Sequence, residues 1–557
     1  MMFFRPNWPM KVAALAIATS SAAEAAVQVP LDRSDPGIAA TSADGGATPA
    51  QDEESAPSPA LQTRTDERQN VQIPGIFAGA IRIEGARNTP MPELMEAALP
   101  FIGRRLSKDD LQALTKAVST VARKHGYLFA SSSVPAQTLE AGVLHVRLDE
   151  GQIDEVRIEG PRNASVEAML SPMKGTAPTK SEIERRLMLA DDLPGVEIGK
   201  VRFVREEERG VLIVPATRNK FAGRANIDNR GTSELGPVRM QLAVDFNGVI
   251  GSNDALTVQG TVTPLQPREL QVGFVRYALQ VGTAGTELAT YASYGRTHSG
   301  GYWRAFDAKG ESFIAGASVT HPLIRDRKVS LWLSGSLDYY SVDQWTSGSS
   351  VRRDRLTTAS ASLNGYVPMA SGRLRAGVGI TQGLSVLNST QEGDPLASRI
   401  GADGQFTSFN AWANWTGDLF GPFSARLAAA GQLTSSPVLA INQIAIGGSY
   451  FGRAYDYSER AGDKGLLGSA ELSAKVLDRN SGFIRWAQLY AFADAGEVDN
   501  LENSYGTGSL YSAGAGARLD FANRLSLGIE AAFPIDEVRY ETGNMNPRIS
   551  FSLGALF

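Results

Sequence analysis

The sequence predicts a membrane-spanning β-barrel of 16 antiparallel strands, preceded by two small α/β units. Three observations lead to this prediction: an N-terminus ordered like a secretory signal peptide, a β-α-α-β-β order of elements that occurs twice, and a long C-terminal part in which apolar and polar residues alternate. The 557 residues include no cysteine, which excludes disulfides and thiolate metal sites. The net charge of −5 gives no reason to expect nucleic acid as a partner.

Residues 1–25 are predicted to be a signal peptide. Arg5 and Lys11 precede the apolar run VAALAIAT, and small residues follow as far as the A-E-A that ends at Ala25. The apolar run is too short to cross a bilayer as a helix. Residues 26–76 are rich in Asp, Ser, Thr, Ala, Gly and Pro, so they are predicted to be a linker that cannot bury enough apolar surface to fold. The chain is therefore expected to be exported.

Two α/β units are predicted at residues 77–150 and 151–218. In the first, the strand-like AIRIEG precedes a short helix and a longer helix with Ser107 as its N-cap. In the second, IDEVRIEG precedes a short helix and a longer helix with Thr179 as its N-cap. Two strands close each unit, and RIEG ends the first strand of both, so the order of elements is an internal repeat.

Residues 219–557 are predicted to form the barrel. In GSAELSAKVL and LYSAGAGARLDF, for example, one face is apolar and the other polar, with a period of two. A soluble sandwich has the same period as a barrel in lipid, but small residues on the apolar faces would pack a protein core poorly. Sixteen such strands can be counted, and the even number fits a single-chain bacterial barrel. The last strand ends on Phe557, which resembles the signal read by the barrel-assembly machinery of the outer membrane.

A long gap between strands, at about residues 435–463, is predicted to be a loop that contains the stretch FGRAY. Further along, FADAG lies on a predicted strand, where Asp494 shares one face with the residues two positions before and after it. If this face lines the lumen, the alternate residues that face lipid are all apolar. The residues alone favour Arg453 as a solvated side chain in the loop and Asp494 as a charge that lines the lumen.

The chain resembles the two-partner secretion transporter family (TpsB), also called the ShlB/FhaC/HecB-type haemolysin secretion/activation proteins. HGYLFASSSVPAQTLEAGVLHVRLDEGQIDEVRIEG resembles the junction between the family's two polypeptide-transport-associated (POTRA) domains. LMLADDLPGVEI resembles the end of the second domain, and ANIDNRGTSELGPVRMQLAV resembles the first barrel hairpin. The resemblance covers nearly everything after the linker. The family often has a plug helix as well, for which residues 26–76 give only a weak match.

The most specific resemblance lies late in the chain. IGGSYFGRAYDYSERAGDKG resembles the family's long loop with an Arg-Gly-aromatic motif, and FADAG resembles its Phe-x-Asp-x-Gly strand motif. The resemblance implies that the loop folds back into the barrel and that Arg453 pairs with Asp494, as a lock between loop and barrel. Ala454 stands where the family has glycine. The residues that support the two motifs are Phe451, Gly452, Tyr455, Phe492 and Gly496.

The resemblance also implies the function. The chain is expected in the outer membrane of a Gram-negative bacterium, in contact with its lipid, with both POTRA domains in the periplasm. These domains would bind an unfolded TpsA-type exoprotein, such as an adhesin, haemolysin or toxin, along the helix from Ser181 and the strand from Glu197. The partner would then pass through the barrel to the cell surface.

Two other functions stay open on the sequence. An assembly factor that inserts other barrels belongs to the same superfamily, although such relatives generally have three or five POTRA domains. A passive porin or receptor has no need of two α/β units. The sequence has no nucleotide-binding loop, no H-E-x-x-H and no grouping of Ser, His and Asp, so we expect neither an enzyme nor a cofactor or metal site.

Overall fold

The computed structural model describes residues 61–63, 76–207, 209–479, 481–502, 506–522 and 524–557. The predicted signal peptide, most of the predicted linker and its weak plug segment lie outside the described residues. No helix in the described part of the chain is long and apolar enough to cross a membrane.

The first α/β unit has the predicted elements in the predicted order, together with two further short strands that pair with each other. Strand β1 (Leu61–Thr63) precedes it, and the unit itself comprises β2 (Ile76–Ala78), β3 (Ala80–Glu84), helix α1 (Met91–Ala98), a 3₁₀ turn (Leu99–Phe101), β4 (Arg104–Leu106), helix α2 (Lys108–Lys124), β5 (Ser131–Ser133) and β6 (Val143–Asp149). Strand β6 pairs in parallel with β3 and antiparallel with β5. Helix α2 begins as predicted, because the Ser107 hydroxyl accepts from the Asp110 backbone and the Asp110 carboxylate accepts from the Ser107 backbone.

The second α/β unit has the predicted order of elements, except that the first of its two closing strands is interrupted and forms two short strands. It comprises β7 (Glu155–Glu159), α3 (Ala164–Leu170), a 3₁₀ turn (Ser171–Met173), α4 (Lys180–Asp191), β8 (Val196–Ile198), β9 (Val201–Glu206) and β10 (Arg209–Arg218). The Thr179 hydroxyl caps α4 by accepting from the backbone of Glu182. The sheet has the order β1-β9-β10-β7, and β1 pairs in parallel with the outer edge of β9. A segment before the first unit therefore adds a strand to the second.

The rest of the chain forms a closed barrel of 16 antiparallel strands, as predicted. The strands after β10, in chain order, are β11 (Phe221–Asp228), β12 (Arg239–Asn247), β13 (Asp254–Val262), β14 (Leu270–Val281), β15 (Thr286–His298), β16 (Lys309–Arg325), β17 (Ser330–Thr346), β18 (Ser349–Met369), β19 (Gly372–Leu384), β20 (Thr407–Phe420), β21 (Phe423–Thr434), β22 (Ile444–Ile446), β23 (Arg460–Gly462), β24 (Lys464–Asp478), β25 (Ile484–Asp499), β26 (Gly508–Phe521), β27 (Leu525–Pro534) and β28 (Arg548–Leu556). Strands β22 and β23 form a separate two-stranded sheet, and 3₁₀ turns lie at Gly301–Phe306 and Ala440–Asn442. The barrel closes between β11 and β28 over five residue pairs.

The two faces of the wall distinguish a barrel in lipid from a soluble sandwich. On β25, Leu489 is 53% exposed whereas Asp494 is 3% exposed. On β26, Tyr511 is exposed and the adjacent Ser512 is fully buried. The apolar side chains thus face outward and the polar ones inward, which is the reverse of a soluble core. This inversion confirms the barrel rather than the sandwich.

The second α/β unit contacts the turns at one end of the barrel. The Arg325 guanidinium donates two hydrogen bonds to the Asp192 carboxylate, and the Gln280 amide donates to the Asp192 carbonyl at 2.7 Å. Arg186 of α4 donates to the carbonyl of Thr283 at 2.9 Å. We call this the α/β end of the barrel and the opposite end the far end. The long connections, at 385–406 and 435–463, lie at the far end.

Candidate functional site

The loop of residues 435–463 folds from the far end into the barrel. Its two legs pair as β22 and β23, and the residues between them form the loop tip, 447–458. Gly447 begins the tip at φ 114°, and a Cβ there would lie 2.0 Å from the carbonyl oxygen of Asp456. Glycine is therefore required where the chain turns back on itself.

Arg453 lies in this tip, and its guanidinium meets Asp494 on β25. Nε donates to Oδ2 at 3.1 Å, Nη2 donates to Oδ1 at 3.0 Å, and the backbone N–H of Arg453 donates to Oδ2 at 3.0 Å. The guanidinium also lies over the ring of Phe492, 3.4 Å from its centroid. The two side chains are 6% and 0% exposed. This is a two-pronged ion pair away from bulk water, a geometry that arginine forms and lysine cannot.

Four further charged residues join this pair, and no motif in the sequence marks them. Arg453 Nη1 donates to Glu471 on β24 at 3.0 Å and lies 3.5 Å from Glu530 on β27. Arg518 on β26 donates to both oxygens of Glu471, and Arg230 pairs with Glu530. The alternation of apolar and polar residues puts both glutamates on the polar faces of their strands, but it does not show which charges they meet.

The aromatic residues of the two motifs pack together around the charges. Phe451, Tyr455 and Phe492 are buried in one apolar cluster with Tyr490. The hydroxyl of Tyr455 lies 3.1 Å from the carboxylate of Asp536, beyond β27. The cluster excludes water from one side of the ion pair, which strengthens its electrostatic attraction.

The glycines of the two motifs make room for the loop. Gly452 has a φ of 77°, and a Cβ on Gly496 would lie 2.5 Å from Cδ1 of Ile446 in β22. Ala454, where the family has glycine, is fully buried, and its φ is not positive. Its methyl group therefore costs no backbone strain and fills space in the tip.

A second contact joins the tip to the closing seam of the barrel. Arg548 at the start of β28 donates to the Asp456 carboxylate and to the carbonyl of Tyr455 at 3.0 Å. It also donates to the carbonyl of Gly231, after β11, at 3.1 Å. The tip thus contacts β28 directly and is joined to the segment after β11 only through Arg548.

Glu541 makes this region sensitive to pH. It lies in the segment between β27 and β28, where its carboxylate accepts from the backbone of Ser233 at 2.9 Å. Burial and the neighbouring carboxylate of Asp456 raise the pKa of Glu541 to about 7. Its protonation state therefore changes near neutral pH, next to the loop tip.

Phe557 lies at the α/β end of the wall. Its backbone exchanges hydrogen bonds with Gly223, and its side chain is exposed on the outside of the barrel. A Cβ on Gly223 would lie 2.1 Å from this ring, so the ring covers the glycine in this position. The role of Phe557 as an assembly signal stays a prediction.

Two cavities share part of their lining. One, of about 890 Å³, lies in the lumen beside the loop tip and is lined by Arg453 and Glu471. The other, of about 1980 Å³, lies between the α/β units and the barrel and is lined by His125 and Lys180. The residues that line both cavities are Asn414, Arg426, Trp486 and Asp520. Among the described residues, no group of His, Cys, Asp and Glu could hold a metal ion.

A closed barrel that is apolar outside and charged within, with α/β units at one end and a loop folded into its lumen, defines an outer-membrane β-barrel transporter. The model of the haemolysin secretion/activation protein ShlB/FhaC/HecB family matches residues 209–519. The model of the ShlB-type POTRA domain matches residues 79–151. The chain belongs to the ShlB/FhaC/HecB family of haemolysin secretion/activation proteins. It is an outer-membrane protein whose α/β end faces the periplasm and whose far end is extracellular.

Several known proteins are similar to the chain over most of its length. The heme/hemopexin transporter protein HuxB of Haemophilus influenzae is 21% identical over 471 residues, which is 80% of each chain. The outer membrane transporter CdiB-2 of Burkholderia pseudomallei is 24% identical over 479 residues, 79% of this chain and 77% of that protein. The solved structure of CdiB from Escherichia coli superposes with a TM-score of 0.71 at 19% identity, covering 96% of this chain and 100% of that one. At that identity the structural match shows the fold alone.

Proposed function

We propose that the chain takes an unfolded exported protein from the periplasm and secretes it through the barrel to the cell surface. The observation that carries this proposal is the pair of cavities with a shared lining. They give a polar path from the α/β units into the lumen, and the loop tip blocks the path at the level of Arg453. A passive porin would have no use for α/β units at the mouth of this path.

The wall of the path suits an extended polypeptide. Arg373 and Arg375 line it at the barrel mouth, and Arg426 lines it at the junction of the two cavities. Asp418 and Asp520 lie among them. A polar wall with charges of both signs can hydrate an unfolded backbone without binding it in one register, so the chain can slide.

Strand addition supports the role of the second α/β unit in binding the partner. The chain's own Leu61–Thr63 already pairs with the outer edge of β9. An unfolded partner could form the same backbone hydrogen bonds at a sheet edge. The predicted groove at Ser181 and Glu197 lies between α4 and β8, where the Asp191 carboxylate accepts from the backbone of Ile198 at 2.7 Å. The barrel occupies the Arg186 side of α4, so the partner would approach from the other side.

The Arg453–Asp494 pair acts, in this proposal, as the lock that keeps the tip in the lumen. Transport requires the tip to leave, and the adjacent cavity lets water hydrate the released charges. No nucleotide is used. Folding of the partner outside, as a stacked β-solenoid in which each coil templates the next, would make its movement one-way.

The partner class follows from the family and the relatives. HuxB is named a heme/hemopexin transporter and CdiB an outer membrane transporter. For this chain we propose a large TpsA-type exoprotein as the partner, with outer-membrane lipid around the barrel and the barrel-assembly machinery inserting it. The function is transport and not catalysis. The division into a signal peptide at 1–25, a linker at 26–76 and POTRA domains at 77–150 and 151–218 is part of the same proposal.

The test is secretion of the exported protein encoded beside this gene. Both proteins are produced in a host that lacks them, and the exported protein is measured at the cell surface and in the medium. Secretion that depends on the chain supports the proposal. If the exported protein stays periplasmic, while other barrels fail to insert when the chain is depleted, the chain is an assembly factor. If small solutes alone pass, it is a porin.

A further inference from the structure

The base of the inserted loop carries a second buried ion pair, outside the lumen. Arg399 lies in the extracellular loop 385–406, which we call the cap loop, and Asp463 ends the outgoing leg of the inserted loop. The guanidinium donates to both oxygens of the Asp463 carboxylate. The two side chains are 9% and 0% exposed. Arg399 lies outside the stretches by which the family was recognised, whereas Asp463 lies near the end of the loop stretch IGGSYFGRAYDYSERAGDKG.

This pair gathers four segments of the chain at one point. Arg399 also donates to the carbonyl of Val438, on the incoming leg, at 2.6 Å and to the side chain of Asn500, after β25, at 2.7 Å. The Asp463 carboxylate accepts in turn from the backbone of Val438 at 2.9 Å and of Leu501 at 3.0 Å. We call these five residues the base clasp. Both legs of the inserted loop are tied to the cap loop through it.

The cap loop is itself fixed to the wall of the barrel. The backbone of Ser398 donates to the carboxylate of Asp354 on β18 at 2.9 Å, and that carboxylate also pairs with Arg352, with both side chains almost fully buried. The backbone N–H of Thr390 donates to the carbonyl of Arg355, and the backbone N–H of Arg355 donates to the hydroxyl of Thr390. The base clasp is therefore attached to the barrel wall through the cap loop.

The base clasp differs from the Arg453–Asp494 pair in its access to water. Arg453 lines the lumen cavity, so its partners can be hydrated when the tip leaves. Arg399 and Asp463 line neither cavity, and Val438 packs in an apolar cluster with Leu356. Breaking the base clasp would leave a carboxylate buried without its guanidinium, which is strongly unfavourable.

The tip begins and ends at residues with positive φ, which form a joint with the two legs. Gly447 and Gly448 follow β22 with φ values of 114° and 101°, and Ser458 precedes β23 with a φ of 51°. The legs stay together because they pair as β22 and β23. The tip can rotate relative to them because the backbone changes direction at these residues of positive φ. Resting on the proposed secretion function, we propose that Arg399 is a positioning residue that holds the base of the inserted loop as a fixed hinge while the tip leaves the lumen.

The hinge is tested by fixing it covalently. Ser398→Cys and Ala440→Cys are combined, because the Ser398 hydroxyl accepts from the backbone of Ala440 at 3.0 Å and the natural chain has no cysteine. A stationary base predicts that the oxidised variant secretes as much exoprotein as the reduced one. Secretion that is lost on oxidation and restored on reduction would overturn the hinge. Failure of the two thiols to oxidise would contradict the contact on which it rests.

Loss of the guanidinium is the complementary test. Arg399→Ala should lower secretion at least about tenfold and raise the frequency of channel opening in planar bilayers, because it leaves a buried carboxylate unpaired. Arg399→Lys should not restore either property, since an ammonium cannot bond Asp463 in two places and still reach Asn500 and Val438. Unchanged secretion and opening in Arg399→Ala would refute the positioning role. If the natural chain secretes nothing, the transport proposal fails but the hinge can still be tested. Channel opening can then be compared between the oxidised and the reduced double-cysteine variant.

Discussion

Replacing Arg453 with alanine should free the loop tip from the lumen while leaving the barrel folded. The substitution removes two side-chain hydrogen bonds to Asp494, one to Glu471 and the contact with the ring of Phe492. None of the barrel's strand pairings involves the loop tip, so the 16-stranded wall should persist. Export of the partner should be impaired, because the tip can no longer be held and released at a defined position.

The size of the effect follows from burial. Removing one partner of a buried ion pair costs about 3–5 kcal/mol, because the remaining charge stays desolvated. Since about 1.4 kcal/mol is a factor of ten, the docked population should fall roughly a hundredfold to a few thousandfold. Arg453 lines the lumen cavity, so water can enter the space that its side chain vacates, which places the expected value at the lower end of this range. Arg453→Lys should recover only part of it, since lysine supplies charge without the two-pronged geometry.

Two assays measure the prediction. Secretion of the exoprotein reports on function, and single-channel recording in planar bilayers reports on the fraction of time the lumen is open. Arg224→Ala is the matched control. It also removes a guanidinium that lines the lumen cavity, but this guanidinium pairs with Asp245 on the wall and not with Asp494. Normal secretion and natural channel closure in Arg453→Ala, with heat-modifiable mobility that proves a folded barrel, would refute the role of the ion pair as a lock.

Three further perturbations test other contacts. The docked tip raises the pKa of Glu541 to about 7, so docking favours the protonated form of its carboxyl group. Channel opening should therefore increase as the pH rises through about 7. Glu541→Gln should remove this pH dependence. Arg325→Ala should release the second POTRA unit from the barrel, seen as faster proteolysis between them, and adding Asp192→Ala should have little further effect. Burial would raise the pKa of Glu150, but hydrogen bonds from the Asn88 and Thr89 backbones outweigh it and lower the pKa. Above the usual pKa of a glutamate, Glu150→Gln should therefore speed hydrogen exchange at those amides, and the difference should vanish as the pH falls below the lowered pKa.

The fold could be predicted because it rests on local patterns. A period of two decides which face of each strand meets lipid, and helix caps such as Ser107 and Thr179 act within four residues. The distinction between barrel and sandwich came from the size of the residues on the apolar face and not from the period itself. The first of the two strands that close the first unit is only three residues long, Ser131–Ser133, because the preceding residues turn, with the backbone of Ala130 donating to the carbonyl of Tyr127.

The candidate site could be predicted only in part. The proximity of Arg453 and Asp494 was implied by two motifs and is present in the structure, whereas the lock they are proposed to form stays a prediction. Glu471 and Glu530 were recognisable as lumen residues, but closure of the barrel decides that both reach one guanidinium. Arg399 lies in an irregular loop with no period, so nothing local connects it with Asp463, 64 positions later.

The charges around the loop tip balance while the loop is in place. Three guanidiniums face three carboxylates, those of Arg453, Arg518, Arg230, Asp494, Glu471 and Glu530. Arg453 alone among these six belongs to the loop, but Asp456 leaves with the same tip and is lost to Arg548 at the closing seam. The departing tip therefore takes one charge of each sign, leaving Asp494 and Arg548 without their ion partners, and the reversal potential in a salt gradient should not shift when the tip leaves. Acidic and basic side chains of a threading polypeptide would each find one opposite charge on the wall.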